Sequence, residues 1–365
     1  MKEMHDDTLS LKRSQLEVLA AHRDQLRIQP HLRWLFFEIT NRCNLQCRHC
    51  GSSCSNRGES LSVEDINQTL KTVKCPKPTV CLTGGEPLMH PRFFEIAERV
   101  HQSGFYWGMT TNATLIDSEA ANKLKRTGMS TVSVSLDGLK ASHDALRRKK
   151  GAWHSALHGI RCLQEAGFDP QVTTVIHTGN FDELEPLYDM LCDIGIRHWR
   201  PINVEPIGRA CESHEMLLPP ARFRDLLEFI QAKRFDPQCP MEVTFGCSHY
   251  LGTQTERMVR DHYFLCGAGI LVASVRSNGD ICACLDIENR PELVQGNIRT
   301  DDFWEVWQQR FQTFRRDRTV GSHECSVCPE RYVCGGDSTH TWDFDHNEPL
   351  YCAWKMINAD GHNEG

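Results

Sequence analysis

The sequence has 365 residues, 40% of them hydrophobic, and a formal net charge of −7 at pH 7. This length exceeds one ordinary domain, so we expect a large domain and a smaller one. The negative charge argues against a nucleic-acid or lipid-headgroup surface, and no apolar run is long enough to span a membrane. The N-terminal stretch MKEMHDDTLS lacks the apolar core of a signal peptide, so we expect a cytoplasmic protein without nucleic-acid or membrane partners.

The N-terminal segment, residues 1–33, is polar and has a helical pattern around Leu11 to Leu26. We expect it to form a helix on the protein surface. It is too short to form a separate peptide-binding domain.

From Trp34 onward, short apolar runs alternate with amphipathic stretches. The predicted strands are Trp34–Thr40, Thr79–Leu82, Tyr106–Thr111, Thr131–Ser135, Gln171–His177 and His198–Asn203. The predicted helices begin at Ser62 and Pro91 and then cover Ser118–Arg126, Trp153–Ala166 and Phe181–Ile194, with another over Pro219–Arg234. Six strand–helix units in succession favour an α/β fold with a parallel sheet curled into a partial (β/α)6 barrel.

Polar residues follow several of these strands, where a barrel of this kind carries its active site. A cysteine loop follows the first strand, and the second is followed by Gly84, Gly85, Glu86 and Pro87. The later strands are followed by Thr111-Asn112, by Ser135-Leu136-Asp137-Gly138 with His143 and Arg147 beyond, and by Asn203 and Glu205. One such turn has little meaning alone, but several at successive strand ends indicate a site.

The cysteine loop EITNRCNLQCRHCG holds Cys43, Cys47 and Cys50 in a C-x3-C-x2-C spacing. A structural zinc site normally needs four protein ligands, so a zinc interpretation requires completion by Cys54 or His49. A cubane iron–sulfur cluster has four irons, and three cysteines leave one iron open to a substrate or cofactor.

The sequence has 18 cysteines, and in a reducing cytosol we do not expect them to form disulfides. A dense set runs from Cys239 to Cys352, and such clustering indicates metal ligands. The block CSVCPERYVCGG gives C-x2-C-x5-C, and Cys352 follows. Four thiolates in this arrangement can close a zinc site or saturate a cubane cluster, and the spacing does not distinguish them.

The loop CNLQCRHC, the GGEP segment and the strand–helix units together resemble the radical SAM enzymes over about residues 34–210. The resemblance implies that Cys43, Cys47 and Cys50 hold a [4Fe–4S] cluster to which S-adenosylmethionine binds. It also implies reductive cleavage to a 5′-deoxyadenosyl radical that abstracts hydrogen from a substrate.

Roles for the other residues follow from this resemblance. Gly84 and Gly85 would admit the methionyl amino group, and Glu86, beside Pro87, would stabilise that ammonium group or fix the loop. Arg147 is the candidate partner of the cofactor carboxylate, although its basic run ALRRKK is also typical of a solvated face. The remaining candidates for cofactor contacts are Asn112, Ser135, Asp137 and, near the adenine, His49; Ser135 and Asp137 could instead cap turns.

The cysteine order after residue 246 resembles the SPASM extension of radical SAM peptide-modifying enzymes. The resemblance implies one or two auxiliary iron–sulfur clusters. Its auxiliary cluster II would use Cys325, Cys328, Cys334 and Cys352. Cys266, Gly279 and Cys284 fit the part that serves auxiliary cluster I, but Ser338 stands where another cysteine is expected. Cys247 or Cys282 could replace it, or an iron could remain open.

These assignments divide the chain into an N-terminal helical segment (1–33), the radical SAM partial barrel (34–210), a linker helix region (211–245) and a SPASM/Twitch domain (246–365). A β-hairpin is predicted around Ile270–Val275 and Ile281–Leu285, with Ser277-Asn278-Gly279-Asp280 as its turn.

The SPASM resemblance implies a peptide or protein substrate, and the first functional hypothesis is maturation of a ribosomally made (RiPP) precursor peptide. Thioether or carbon–carbon crosslinking removes hydrogens, whereas epimerisation needs a hydrogen donor, for which Cys54, Cys211, Cys247 and Cys282 are candidates. The alternatives are a sulfatase-maturase-like enzyme, a tetrapyrrole-modifying enzyme and a non-catalytic metal-binding peptide scaffold. Expected partners are the precursor peptide, a reductant such as flavodoxin or ferredoxin and a separate leader-binding protein.

Overall fold

The central feature of the protein is a sheet whose first six strands are parallel and lie side by side in chain order. The structure is a computed structural model that describes residues 2–52, 54, 58–246 and 248–358. The six strands are β1 (Trp34–Thr40), β2 (Thr79–Gly84), β3 (Trp107–Thr111), β4 (Thr131–Ser135), β5 (Gln171–Ile176) and β6 (His198–Asn203). The prediction of six strand–helix units is therefore confirmed, with strand ends that shift by at most two residues.

Helices cover one face of these strands and alternate with them along the chain. They are α2 (Val63–Thr72), α3 (Phe93–Gln102), α4 (Ser118–Arg126), α5 (Lys140–Arg147), α6 (Ala152–Glu165) and α7 (Leu184–Asp193), preceded by α1 (Lys2–Ile28) and followed by α8 (Pro220–Phe235). Ser62 caps α2 through a capping box with Asp65, as its position before the apolar pattern predicts. The helix expected from Pro91 begins at Phe93, and the one expected from Phe181 begins with a 3₁₀ turn, Phe181–Glu183.

The C-terminal part of the chain extends the same sheet. Strand β7 (Glu242–Val243) pairs with β6, while β8 (Val272–Val275) pairs in parallel with β1 on the other side. Strands β9 (Asp280–Cys282) and β10 (Gly296–Asn297) continue from β8 as antiparallel neighbours, which gives ten strands in all. The predicted hairpin is present but shorter than expected, and Gly279 has the positive φ of 92° that its turn requires.

The remainder of the C-terminal region is built from short elements. These are α9 (Glu256–Val259), α10 (Phe303–Gln309), α11 (Gln312–Arg315), α12 (His323–Ser326), α13 (Arg331–Cys334), the pair β11 (Trp342–Asp343) and β12 (Glu348–Pro349), and α14 (Ala353–Ile357). Such short elements bury little apolar surface on their own, so other contacts must hold this region together.

The N-terminal helix α1 packs on this C-terminal region. Leu16 is buried in one apolar cluster with Tyr250, Phe264 and Val333. Arg23 donates hydrogen bonds to the carbonyl oxygens of Val333 and Tyr332, at 3.1 and 2.7 Å. The predicted surface helix is therefore a structural part of the cysteine-rich domain.

Within the described ranges, no helix combines the length and apolarity that a membrane crossing requires.

Candidate active site

The cysteine loop begins where β1 ends, at the C-terminal edge of the parallel sheet. Cys43 and Cys47 are buried, and Cys50 is partly exposed. The GGEP segment at the end of β2 lies directly against this loop: the Gly85 amide donates to Thr40 O and the Glu86 amide to Arg42 O, both at 2.9 Å. A side-chain Cβ on Gly85 would lie 2.5 Å from Arg42 O and 2.8 Å from Cys43 Cβ. Glycine is needed here because no other residue allows so close an approach.

Glu86 holds the loops at this edge together. Its carboxylate is buried and accepts hydrogen bonds from the Thr111 hydroxyl and the Asn112 amide, both at 2.8 Å, and from the Leu88 amide at 3.3 Å. Burial raises the pKa of Glu86 to about 6, despite these donors. Of the two predicted roles, the contacts support fixing the loop. Pro87 is the first residue of the 3₁₀ turn Pro87–Met89 that follows.

Asn112 connects the end of β3 to the cysteine loop. Its side-chain nitrogen Nδ2 donates to Asn44 Oδ1 at 3.0 Å. Its side-chain oxygen Oδ1 accepts from the backbone amide and the hydroxyl of Thr114. Asn44, between Cys43 and Cys47, also donates to Thr114 Oγ1 at 2.8 Å. Asn112 therefore acts on the orientation of the cysteine loop.

Asp137 and Arg147 form a buried ion pair beneath the loop. Arg147 Nε and Nη2 lie 2.7 and 2.6 Å from Asp137 Oδ2, and Asp137 Oδ1 accepts from the Val175 amide at 2.9 Å. Burial opposes the charge on Asp137, but Arg147 outweighs it and holds its pKa well below the usual range. Arg147 is buried, so the solvated-face interpretation is wrong for it. The Asp137 carboxylate is fully buried and both of its oxygens are bound to protein groups, and its predicted role as a cofactor contact stays a prediction.

Three neutral histidines surround this ion pair. Burial lowers the pKa of His49 and of His143 to about 4, and it also lowers that of His177. One buried ring nitrogen on each has no hydrogen-bond partner among the described residues: His49 Nδ1, His143 Nε2 and His177 Nε2. The partly exposed Ser135 hydroxyl, at the end of β4, has no protein partner there either.

These unpartnered groups fit a polar ligand bound beside Arg147. They are available for the amino, carboxylate and ribose groups of S-adenosylmethionine, and Arg147 is available for its carboxylate. The sequence analysis did not select His177, since it reads as the last residue of a strand.

The three thiols themselves fit an iron–sulfur cluster as a donor set. Burial raises the pKa of Cys43 to about 11 and also raises that of Cys47, so these thiols ionise only when cationic iron binds them. Hydrogen bonding from Cys54 lowers the pKa of Cys50 to about 5. When bound there, a reduced cluster and S-adenosylmethionine supply a 5′-deoxyadenosyl radical.

The C-terminal cysteines gather in two places. Four of them line one small cavity beside Tyr250 and Trp354: Cys325, Cys328, Cys334 and Cys352. This is the complete set expected for auxiliary cluster II.

The second group centres on Cys266 and Cys284, which lie close enough for the charge of Cys266 to raise the pKa of Cys284. Ser338 is buried nearby, and its hydroxyl accepts the His249 amide hydrogen at 3.2 Å. The Cys266 thiol contacts Thr339 Oγ1 at 3.1 Å. Cys282 is buried with its thiol near Arg276 and Glu38, and Cys247 lies outside the described residues. The ligand set of auxiliary cluster I thus stays a prediction.

A network of four charged side chains, three of them buried and His340 partly exposed, joins the barrel to the SPASM region. Only Glu205 among them is a candidate from the sequence. His249 Nε2 and Nδ1 lie 2.9 Å from Glu205 Oε1 and 3.2 Å from Asp337 Oδ2. His340 Nε2 lies 2.5 Å from Glu205 Oε2. The two carboxylates and two imidazoles can balance in charge, which makes their burial tolerable.

A cavity between the barrel and the C-terminal region, here called the interdomain chamber, has a volume of about 830 Å³. It is lined by Gly51 and Ser52 of the cysteine loop, by residues 206–208 after β6, and by the β8–β9 turn. Residues of segment 339–344 of the C-terminal region also line it. Of the candidate hydrogen donors, Cys211 lines this chamber, whereas Cys54 lies against Cys50. A substrate in the chamber would lie beside the cysteine loop.

Comparison with known proteins agrees with this geometry. Residues 37–191 match the family described as the Radical SAM superfamily, and residues 266–329 match SPASM, an iron–sulfur cluster-binding domain. The chain is 29% identical over 346 residues to an AdoMet-dependent heme synthase of Methanosarcina barkeri, which covers 88% of this chain and 97% of the relative. It is 29% identical over 313 residues to the mycofactocin maturase MftC of Mycolicibacterium smegmatis, with 83% and 76% covered.

The fold also resembles a solved structure, native anSMEcpe with bound AdoMet. The TM-score is 0.72, with 18% sequence identity over 90% of this chain and 96% of that chain. At this identity, the likeness concerns the fold alone. Together with the family matches, it shows that the barrel and the cysteine-rich region are both present. The chain therefore contains a radical SAM domain over residues 37–191 and a SPASM domain over residues 266–329, and it is an enzyme that uses S-adenosylmethionine and iron–sulfur clusters.

Proposed function

We propose that this enzyme uses the 5′-deoxyadenosyl radical to modify a side chain of a tetrapyrrole. The observation that carries the proposal is the similarity to a heme synthase along almost the whole length of both chains. Tetrapyrrole modification was an alternative on sequence grounds, where peptide maturation came first. The comparison favours the alternative because the match to the heme synthase covers more of both chains than the match to the mycofactocin maturase does.

The interdomain chamber offers an apolar surface for a porphyrin ring and two cationic side chains for its acidic groups. Its apolar lining includes Ile207, Trp342, Phe344 and Leu350, which can pack against an apolar macrocycle. Arg276 and His340 also line it and provide positive charge. The chamber begins at Gly51, directly after Cys50, so a side chain of the ring can reach the radical-forming site.

The chain's own residues would position the reactants. Gly85, Glu86 and Asn112 orient the cysteine loop, and the Asp137 carboxylate holds Arg147 in place beneath it. Arg147 would bind the cofactor carboxylate. Trp342 and Phe344 line the chamber and would shield a radical intermediate from water.

Peptide maturation is the second candidate. It is favoured by the similarity to the mycofactocin maturase, over 83% of this chain. A precursor peptide would occupy the same chamber, with the auxiliary clusters accepting the electron left by crosslinking. The reductant and any leader-binding protein remain part of this proposal.

One anaerobic experiment separates the two candidates. Reconstituted enzyme, S-adenosylmethionine and a strong reductant are incubated either with iron porphyrins deuterated in their side chains or with a cysteine-containing precursor peptide. Transfer of deuterium into 5′-deoxyadenosine, with a mass change in the porphyrin, is the expected result.

The control is the enzyme with Cys43, Cys47 and Cys50 changed to Ala, which should transfer no deuterium. A modified peptide together with an unchanged porphyrin would contradict the tetrapyrrole proposal and favour maturation. Loss of two hydrogens from the peptide would then indicate crosslinking, and uptake of solvent deuterium would indicate epimerisation.

A further inference from the structure

His340 lies on the wall of the interdomain chamber, in the segment that follows the cysteine block CSVCPERYVCGG. Its Nε2 contacts Glu205 Oε2 at 2.5 Å, and Glu205 is held from its other oxygen by His249. Its Nδ1 makes no hydrogen bond to any described residue. The imidazole is thus fixed at one nitrogen, while the other remains available to a ligand.

The charge of His340 suits a donor toward an anion. Burial disfavours the imidazolium, but the Glu205 carboxylate outweighs burial and raises the pKa of His340 to about 9. Asp286 raises that pKa further and His249 lowers it. At neutral pH both ring nitrogens therefore carry protons, and the Nδ1 hydrogen has no acceptor in the described protein.

The other cation of the chamber, Arg276, is engaged through Nη2, while its buried Nε has no hydrogen-bond partner among the described residues. Arg276 Nη2 donates to the carbonyl oxygens of Ile287 and Leu285, at 2.5 and 3.4 Å, and its charge lies near Glu38 and Cys282. Most other charged groups on the wall are carboxylates: Glu38, Glu59, Asp286 and Glu288. These carboxylates would repel a substrate carboxylate unless a cation of the wall lies between them. A substrate carboxylate therefore has few places to bind in the chamber.

We propose that His340 binds a carboxylate side chain of the substrate and thereby sets the orientation of the ring in the interdomain chamber. This assignment rests on the proposed tetrapyrrole function and names the group that recognises the substrate. The hydrogen bond from Nδ1 is charge-assisted, and Glu205 holds the imidazole in the orientation that makes it. His340 is then a specificity residue for acidic porphyrins.

The test compares two porphyrins in an absorption titration of the reconstituted holoenzyme. One is an iron porphyrin with free carboxylates, and the other is the same porphyrin with every carboxylate converted to a primary amide. The unchanged enzyme should prefer the acid, and His340→Gln should reduce this preference about tenfold or more. If His340 had only a structural role, its substitution would weaken the binding of both porphyrins alike and leave the ratio of their affinities unchanged.

Two further variants keep the result interpretable. His340→Lys retains a cation and should restore part of the preference. His346→Gln removes an exposed histidine that pairs with Asp343 in the same region, and it should leave the ratio as it is. Iron content and thermal unfolding show whether each variant retains its fold and clusters.

An acid-over-amide ratio that is equal in the unchanged enzyme and in His340→Gln would overturn the assignment while leaving the proposed function intact. A change in the spin-state bands of the bound porphyrin, with an unchanged ratio, would instead identify His340 as a ligand of the substrate iron and would also overturn it. Failure of the unchanged enzyme to bind either porphyrin would contradict the proposed function, and the assignment with it.

Discussion

Arg147 contacts Asp137 Oδ2 through both Nε and Nη2, and both side chains are buried beneath the cysteine loop. The two residues come from different elements, the end of β4 and the last turn of α5. Their pairing places a guanidinium at the carboxyl edge of the barrel, near Cys43 and Cys47. The predicted cofactor site thus has a fixed guanidinium that the surrounding neutral histidines do not supply.

The first prediction concerns this pair. Asp137→Asn leaves the Arg147 charge buried without its counterion, so the free energy of unfolding should fall by about 3–5 kcal/mol. Affinity for S-adenosylmethionine should fall as well, because Arg147 loses its orientation. Denaturant unfolding and equilibrium binding measure the two effects.

The matched control for that prediction is Asp144→Asn, on helix α5, which also carries Arg147. Asp144 accepts hydrogen bonds only from the backbone amides of Gly151 and Trp153 among the described contacts. Its substitution should cost about 1 kcal/mol. Equal costs for the two variants would argue against a special role of the buried pair.

The second prediction tests the close approach of Gly85 to the cysteine loop. Gly85→Ala would place a methyl group 2.8 Å from Cys43 Cβ, so the loop must move and should retain less cluster iron. In Gly51→Ala the nearest atom lies at 3.5 Å, an ordinary contact, and cluster iron should be retained. Iron and sulfide analysis distinguishes the two, and similar iron loss in both would refute the steric explanation.

The third prediction separates the radical-forming site from auxiliary cluster II. Changing Cys43, Cys47 and Cys50 to Ala should abolish formation of 5′-deoxyadenosine, yet the protein should still bind iron and sulfide through the Cys325 group. Further replacement of Cys334 and Cys352 by Ala should lower the remaining iron. Zinc without iron in the first variant would show that the four C-terminal cysteines form a zinc site.

The fourth prediction concerns the contact between α1 and the C-terminal region. Arg23→Ala removes the hydrogen bonds to Val333 O and Tyr332 O, next to Cys334, and should destabilise this region by about 1.5–3 kcal/mol. Auxiliary iron should be lost more readily, with SAM-cluster iron unaffected. Arg126→Ala, on the exposed last turn of α4, serves as the control. Iron release during mild denaturation provides the measurement, and equal release from both variants would contradict the prediction.

The fifth prediction is a pH dependence. The folded-state pKa of His340 is raised to about 9 from an ordinary value near 6.5, so its ion pair stabilises the fold fully below pH 6.5. That contribution, about 3 kcal/mol, should disappear as pH rises from 6.5 to 9. The groups that face His340 are Glu205, Asp286 and His249. The stability difference between the unchanged enzyme and His340→Gln should shrink over this range, and a constant difference would contradict the shift.

Local patterns were sufficient for most of the barrel. Ser62 and Asp65 define the start of α2 through contacts within four residues, and apolar periodicity defines each strand. The cysteine spacing and the GGEP segment carry the resemblance that implies the cofactor, because its predicted ligands lie on one short loop and the strand next to it. The fate of Asp137 and Arg147 could not be predicted, since burial decides whether a charged side chain meets a ligand or another residue.

The sequence by itself determined the fold class, the radical SAM cofactors and the set of four cysteines from Cys325 to Cys352, because these depend on short-range spacing. Tertiary structure alone decided that α1 supports the cysteine-rich domain, more than 300 positions away in the chain. It also decided that Glu205, His249, Asp337 and His340 form one network beside the interdomain chamber. These residues come from separate segments, and a buried charge is stable only where the fold brings its partner within hydrogen-bonding distance.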